Sequence, residues 1–400
     1  MTSPLAGQPW LSDPATVRVM QGLEAAGGAD CARFVGGCVR NSLVGQPVDD
    51  IDIATRLKPE ETLAALKAAG IKAVPTGLAH GTVTAVADRK PFEITTLRRD
   101  VETNGRHAVV AFTDDWAEDA ARRDFRLNAL YADRAGRIFD ATGAGLEDAL
   151  AGRVVFVGDP DRRIEEDHLR ILRFFRFFAW YGRGEPDGAG LKACARHVES
   201  LSRLSAERVS KELLKLLAAP DPRPAVGAMQ AVGVLDRLLP ATADHAVFEA
   251  VTDLSADPVL RLSALLPDEP ALVARTAQAL RLPRAVEHRL AAAAEGPIDP
   301  GMSRPALRAL TYRLGRETVR DRLLRGQAES GVSAAEALAM VSAWTPPRMP
   351  VGGREVAGLG LAPGPATGRL LQAFEEEWIA ADFPDDGHDA RLRRLAASLA

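Results

Sequence analysis

FVGGCVRNSLVGQPVDDIDIAT, residues 34–55, decides how this chain is read. It runs strand, glycine turn, short helix, strand: Phe34-Val35 enters Gly36-Gly37, and Ile51-Asp52-Ile53 alternates with period two. In a strand, residues two apart point to the same face, so Asp50 and Asp52 converge. Paired hard oxygens suit Mg²⁺, which keeps positions open for water and substrate phosphates. Two such ions, about 3.5–4 Å apart, can activate a hydroxyl and stabilise a leaving pyrophosphate. The competing reading is a solvated acidic edge strand. Asp49 offers a second register but faces the other side.

The turn before the pair favours phosphate chemistry. A Gly-Gly turn lets backbone N–H groups approach a triphosphate, and Arg40 can reach its oxygens. Without that role the segment is a tight turn with a surface arginine. A dinucleotide fold fits poorly, because GGCVRN lacks the Gly-x-Gly-x-x-Gly pattern.

Outward from this segment, strands and helices mix to about residue 150. Residues 59–69 look helical, with Pro59 at the start and Gly70 at the end. Thr82–Ala87 and Phe92–Leu97 read as strands around the polar turn Asp88-Arg89-Lys90. From Glu165 onward, Leu/Ala/Arg-rich stretches with helical spacing dominate, at 165–180, 205–219, 223–238, 256–281, 303–328 and 334–344. The expected class is α+β, an amino-terminal domain followed by an all-α array. No fixed-period repeat is present.

With 400 residues the chain exceeds one ordinary core. A hydrophobic fraction of 46% with 26% charged residues reads as globular and soluble. No apolar run is long enough to span a membrane, and the start lacks a signal-peptide pattern. Cys31, Cys38 and Cys194 lack metal-ligand spacing, and so odd and sparse a set suits a reducing cytoplasm. The net charge of −4 excludes a wholly basic nucleic-acid coat. Local arginine clusters still suit phosphate contact. No feature points to a protein partner.

Three further segments carry candidate chemistry. Glu93, in KPFEITTLR, is either a third carboxylate beside the Asp pair or an exposed strand residue. In RRDFRLNAL (122–130), Asp124 and Asn128 are four apart and are expected on one helix face, with Arg123 beside them. In EEDHLRILRFFRFF (165–178), Asp167, Arg170, Arg173 and Arg176 are three apart, and the phenylalanines between them belong inside. Taken alone, that segment is an amphipathic helix with a cationic face. Its sharper reading is chemical: a carboxylate accepts hydrogen bonds and a guanidinium donates them. Cytosine and adenine each show an amino donor beside a ring-nitrogen acceptor, and uracil and guanine show the reverse. An Asp–Arg pair therefore accepts C and A and leaves U and G with unmet groups.

In this order, FVGGCVRNSLVGQPVDDIDIAT, FEITTLRRD with GRHAVVAF, RRDFRLNAL and EEDHLRILRFFRF resemble the bacterial-type CCA-adding tRNA nucleotidyltransferases and the related bacterial poly(A) polymerases. LSAERVSKELLKLL (204–217) looks like that family's next helix. MPVGGREVAGLGLAPGPATGRLLQAF (349–374) resembles a Gly-Pro-rich RNA-contacting segment. The resemblance implies a polymerase-β-like nucleotidyltransferase head at 15–150, a helical neck at 151–235, and a helical, tRNA-binding body and tail at 236–400. It implies that Asp50 and Asp52 bind Mg²⁺ and that Glu93 is an added acidic position. It places Gly37, Arg40 and Arg123 at the nucleotide, Asp167 and Arg170 as the template for the base, and Arg173 and Arg176 as their support. The stretch between Leu97 and Trp116 matches a mobile loop. Three positions depart from the pattern: Asn41 replaces Asp, Arg126 replaces Thr, and His168 replaces Pro.

The function implied is addition of C, C and A to the 3′ end of tRNA from CTP and ATP. Rival readings are a poly(A) polymerase, an enzyme adding only part of CCA, and a non-catalytic RNA-binding homologue. Gly77-Leu78-Ala79-His80-Gly81-Thr82-Val83 resembles the tRNA enzymes. His388-Asp389 is expected in a surface loop, without phosphohydrolase chemistry.

Overall fold

The computed structural model describes residues 5–104, 107–239, 241–242, 245–361 and 364–399. It divides into two compact units, Met1–Pro240 and Ala241–Ala400. The strands of the first unit are β1 Ala32–Val35, β2 Asp52–Thr55, β3 Lys72–Gly77, β4 Thr82–Ala87, β5 Lys90–Thr96, β6 Arg98–Asn104, β7 His107–Phe112, β8 Leu130–Ala132 and β9 Ile138–Asp140. Seven of them form one sheet in the order β3-β4-β5-β2-β1-β8-β9, and β6 pairs with β7 as a separate hairpin. The class is α+β, as the sequence implies.

The central pair β2–β5 is parallel, and its register sets Asp52 opposite Glu93. A parallel pair needs a crossover. Here the helix Pro59–Ala68 and the β3–β4 hairpin supply it. Val35, Ala54, Leu97, Trp116, Ala129 and Tyr131 pack into one buried cluster beneath the sheet. The Leu97–Trp116 stretch, expected to be a mobile loop, is mostly the β6–β7 hairpin. Gly105 and Arg106 lie outside the described residues.

Helices fill the rest of the first unit: Pro160–Glu166, Leu169–Tyr181, Gly188–Arg196, Ala206–Leu217, Arg223–Ala231 and Val234–Leu238. On Leu169–Tyr181 the apolar stripe Ile171, Leu172, Phe174, Phe175, Phe177 and Phe178 is buried. Phe156 and Phe174 stack at 5.5 Å, and Phe125 lies 4.8 Å from Phe156. The second unit is helical throughout its described residues, with one core around Phe374 and Trp378 and another around Val319 and Leu323. Among the described residues no helix is long and apolar enough to cross a membrane.

Several expected helices are divided. Residues 165–180 break at Asp167, which is extended (φ −151°) and whose Oδ1 accepts from the Leu169 N–H at 3.1 Å. Asp167 therefore precedes the arginine helix rather than riding on it. Left-handed Gly233 (φ +75°) splits 223–238, and Gly315 (φ +83°) splits 303–328. Pro267 and Pro270 accompany the break in 256–281. Asp124 and Asn128 do not share an α-helix, because only a 3₁₀ turn, Arg126–Asn128, forms there. That turn still folds Asn128 Nδ2 back to donate to Asp124 Oδ1 at 3.0 Å. His388 begins a helix, His388–Leu399, instead of sitting in a loop.

Candidate active site

β2 begins at Asp52, so Asp50 lies in the lead before the strand and not within it. The i, i+2 relation nonetheless keeps the two carboxylates close enough to repel. Burial, with the charges of Glu93 and Asp50, pushes the Asp52 carboxyl up to about 6 against the pull of Arg123 and Arg40. Asp50 and Glu93 are exposed, and none of the three makes an ion pair among the described residues. Asp49 lines cavities bordered by Pro47, Val48 and Ile51.

Gly36 adopts φ +72°, a value that a side chain disfavours, and turns the chain from β1 into the helix Gly37–Val44. The Arg40 guanidinium of that helix is buried. It donates to Asn128 Oδ1, to Asn41 Oδ1 at 2.8 Å and to Tyr181 Oη at 2.8 Å, and it lies 4.1 Å from the Tyr181 ring centroid. It thus holds the glycine turn to the arginine helix. Arg123 stands nearest the turn: a Cβ on Gly36 would come within 4.0 Å of its Nη1. Asp119 accepts from its Nη2 at 2.9 Å, and Tyr131 Oη lies 3.2 Å from its Nε.

Along Leu169–Tyr181 each arginine meets a carboxylate from outside the helix. Arg170 Nη1 donates to Glu166 Oε2 at 2.5 Å and to the Arg163 carbonyl at 2.8 Å. Arg173 grips Asp124 Oδ2 through both Nε and Nη2, and Arg176 Nε donates to Glu212 Oε2 at 2.6 Å. The expected Asp167–Arg170 couple is not a salt bridge; Asp167 Oδ2 instead accepts from Arg208 Nη2 at 2.7 Å. Burial opposes ionisation of Asp124, but the Arg173 charge and the Asn128 hydrogen bond overcome it and hold its carboxyl at about 2. Asp119 is likewise held at about 2, burial being outweighed by Arg123, Arg122 and Tyr131.

The donor set fits a hard divalent ion in one specific way. Among the described residues no three acidic, histidine or cysteine side chains already form a closed cage. A divalent ion that takes one or two carboxylates and completes its shell with water and substrate phosphates would suit an open edge of this kind.

Besides Glu166 and Tyr181, four residues that sequence reasoning did not single out stabilise this site. Asp119 and Tyr131 fix Arg123, Arg208 fixes Asp167, and Glu212 fixes Arg176. Arg208 and Glu212 sit four apart in LSAERVSKELLKLL, a spacing that gives one helix face.

The chain matches the poly A polymerase head domain over residues 32–155 and the probable RNA and SrmB-binding site of polymerase A over residues 187–245. It is 33% identical to mouse mitochondrial CCA tRNA nucleotidyltransferase 1 over 377 residues, 88% of this chain and 83% of that protein. To the human enzyme of the same name it is 34% identical, with the same coverage. The structure of the Bacillus stearothermophilus CCA-adding enzyme in complex with CTP superposes with a TM-score of 0.74 at 25% identity, covering 96% of this chain and 99% of that one. Enzymes of this family generally use divalent metal ions. With 33–34% identity to the mouse and human enzymes over 88% of its length and 83% of theirs, the chain belongs to the CCA tRNA nucleotidyltransferase family.

Proposed function

We propose that this protein adds C, C and then A to the 3′ end of tRNA, from CTP and ATP and without a nucleic-acid template. The observation that carries the reading is the β2–β5 register. It places Asp52 beside Glu93, with Asp50 two residues away and Arg123 acting on the same carboxylate. Asp50 and Asp52 are the ligands for Mg²⁺, and Glu93 adds negative charge beside them. Bound Mg²⁺ supplies charge stabilisation for the attacking 3′-oxygen and the departing pyrophosphate. The first-turn N–H groups from Gly37 onward lack intrahelical partners and face the triphosphate, with Arg123 beside them. Arg40 serves the same end by fixing that turn.

Asp167 accepts from the amino group of cytosine or adenine, and Arg170 donates to the adjacent ring nitrogen. Each is oriented by an ion pair of its own, Asp167 to Arg208 and Arg170 to Glu166, and Arg173 and Arg176 brace the helix. The domain reading follows: catalysis in 15–150, base recognition in 151–235, tRNA binding in 236–400. Action in the cytoplasm belongs to the same proposal. Cys31, Cys38 and Cys194 are free and buried, as suits a reducing compartment. The mouse and human relatives are mitochondrial.

The test is to sequence the products made by purified protein on tRNA ending just before CCA. Three additions from CTP plus ATP are expected. Long adenosine tails, or only a terminal A, would assign a different activity.

A further inference from the structure

Asn41 stands where the resembled family carries Asp, and the structure shows what the amide does that a carboxylate cannot. Asn41 Oδ1 accepts from Arg40 Nε at 3.2 Å, Arg40 Nη2 at 2.8 Å and Tyr181 Oη at 3.1 Å. With the oxygen so engaged, Nδ2 faces the other way and donates to the Pro47 carbonyl at 2.7 Å. The Asn41 backbone carbonyl accepts from the Gln46 N–H at 2.9 Å. Among the described residues these two bonds are the only hydrogen bonds made by residues 46–50. Pro47 has no N–H, so its carbonyl is its sole backbone handle. This segment delivers Asp50 to the site, and Asp50 lies ahead of the first strand residue, outside the support of the sheet.

We propose that Asn41 is a positioning residue that sets Asp50 beside Asp52 by clamping the 46–50 lead through Pro47, and that the amide donor is what this role requires. The inference rests on the reading that Asp50 and Asp52 bind the metal. An aspartate at 41 would keep the bonds from Arg40 and Tyr181 but has no hydrogen to give Pro47. It would turn a carboxylate oxygen toward a carbonyl oxygen and release the lead.

The experiment titrates full-length protein with Mn²⁺, following free ion by electron paramagnetic resonance, and in parallel measures nucleotide incorporation against Mg²⁺ concentration. Asn41→Asp is expected to weaken Mn²⁺ binding about tenfold, the scale of one lost hydrogen bond, and to raise the half-saturating Mg²⁺ similarly. Saturating Mg²⁺ should restore kcat to within about twofold, since the clamp only positions a ligand that excess metal can recapture. Asn41→Ala removes the same donor without adding charge and should shift metal binding in the same direction. A merely structural role would lower thermal stability or active fraction without moving either metal midpoint. Asp52→Ala separates the two possible failures. If Asp52→Ala still binds Mn²⁺ and incorporates nucleotide, the metal site itself is wrong. If Asp52→Ala is inactive while both Asn41 variants titrate like the parent, the clamp alone is overturned.

Discussion

Asp50, Asp52 and Glu93 gather like charges and make no ion pair among the described residues, with only the more distant charges of Arg123 and Arg40 acting on Asp52, whereas Arg170, Arg173 and Arg176, one turn apart on a single helix, each meet a carboxylate from elsewhere in the chain. In the first region the sheet holds Asp52 and Glu93 side by side at the expense of their electrostatics. The second is electrostatically closed before any ligand arrives. The difference agrees with the roles proposed for them. An edge that repels itself is stabilised by a divalent ion and its triphosphate, so it is built to gain on binding. A helix whose charges are already satisfied gains little from a phosphate but keeps its side chains in fixed directions, which reading a base requires.

The largest expected effect lies at the acidic edge. Asp52→Asn should reduce incorporation by about a thousandfold or more, because it removes one of the two proposed metal ligands. The same substitution should leave metal-free stability unchanged or higher, since it relieves both burial of a charge and repulsion by Glu93 and Asp50. Single-turnover incorporation and denaturant unfolding in chelator measure the two halves. Activity that survives, or stability that falls, would break the contrast.

The arginine helix should behave in the opposite sense. Asp124→Asn leaves Arg173 without its counter-charge. The expected cost is about 3 kcal/mol, at the low end for breaking a buried pair, because the Arg173 side chain remains 32% exposed. Unfolding midpoints in denaturant check it.

A milder perturbation of the same pairs is acid. Asp119 and Asp124 are held at about 2, below the ordinary aspartate value of 3.8. A lowered carboxylate pKa gives stability that is present above the unfolded value and is lost as pH falls toward the folded one. Each should contribute about 2 kcal/mol that disappears between roughly pH 4 and pH 2. Unfolding curves across that range should steepen accordingly, and Asp119→Asn should flatten its share.

The sequence made some of this legible and hid the rest for physical reasons. The strands around 34–55 and 82–97 were readable because period-two alternation and Gly or Pro boundaries are local signals. The apolar stripe of 169–181 was readable for the same reason at helical period. Glu93 beside Asp52 was legible through the resemblance alone and stayed open on the residues themselves, since a parallel register across a crossover leaves no mark on either strand. Asp167 misled through its spacing: three-residue intervals suggested one helix face, but an aspartate before a helix also serves its first turn, and that use breaks the helix here. Arg173–Asp124 and Arg176–Glu212 join residues 49 and 36 positions apart, beyond the reach of any periodicity.

The smallest effect is the most specific to the contrast. Arg208 and Asp167 are each 25% exposed, so their ion pair should contribute only about 0–1 kcal/mol to folding. Its value lies in direction. One carboxylate oxygen is anchored 2.7 Å from Arg208 and the other at the Leu169 N–H, so in the proposed role Asp167 would not turn to suit a base whose donor and acceptor are reversed. Arg208→Ala should therefore leave thermal stability nearly unchanged and kcat/KM for CTP within a few-fold. It should raise incorporation of UTP or GTP relative to CTP and ATP by about tenfold, as expected when a wrong base no longer faces a fixed, unmet group. Competition among the four triphosphates on one tRNA measures the ratio. A variant that loses stability and keeps its selectivity would mean that Asp167 is held by the helix start alone, and that the arginine face reads no base through this pair.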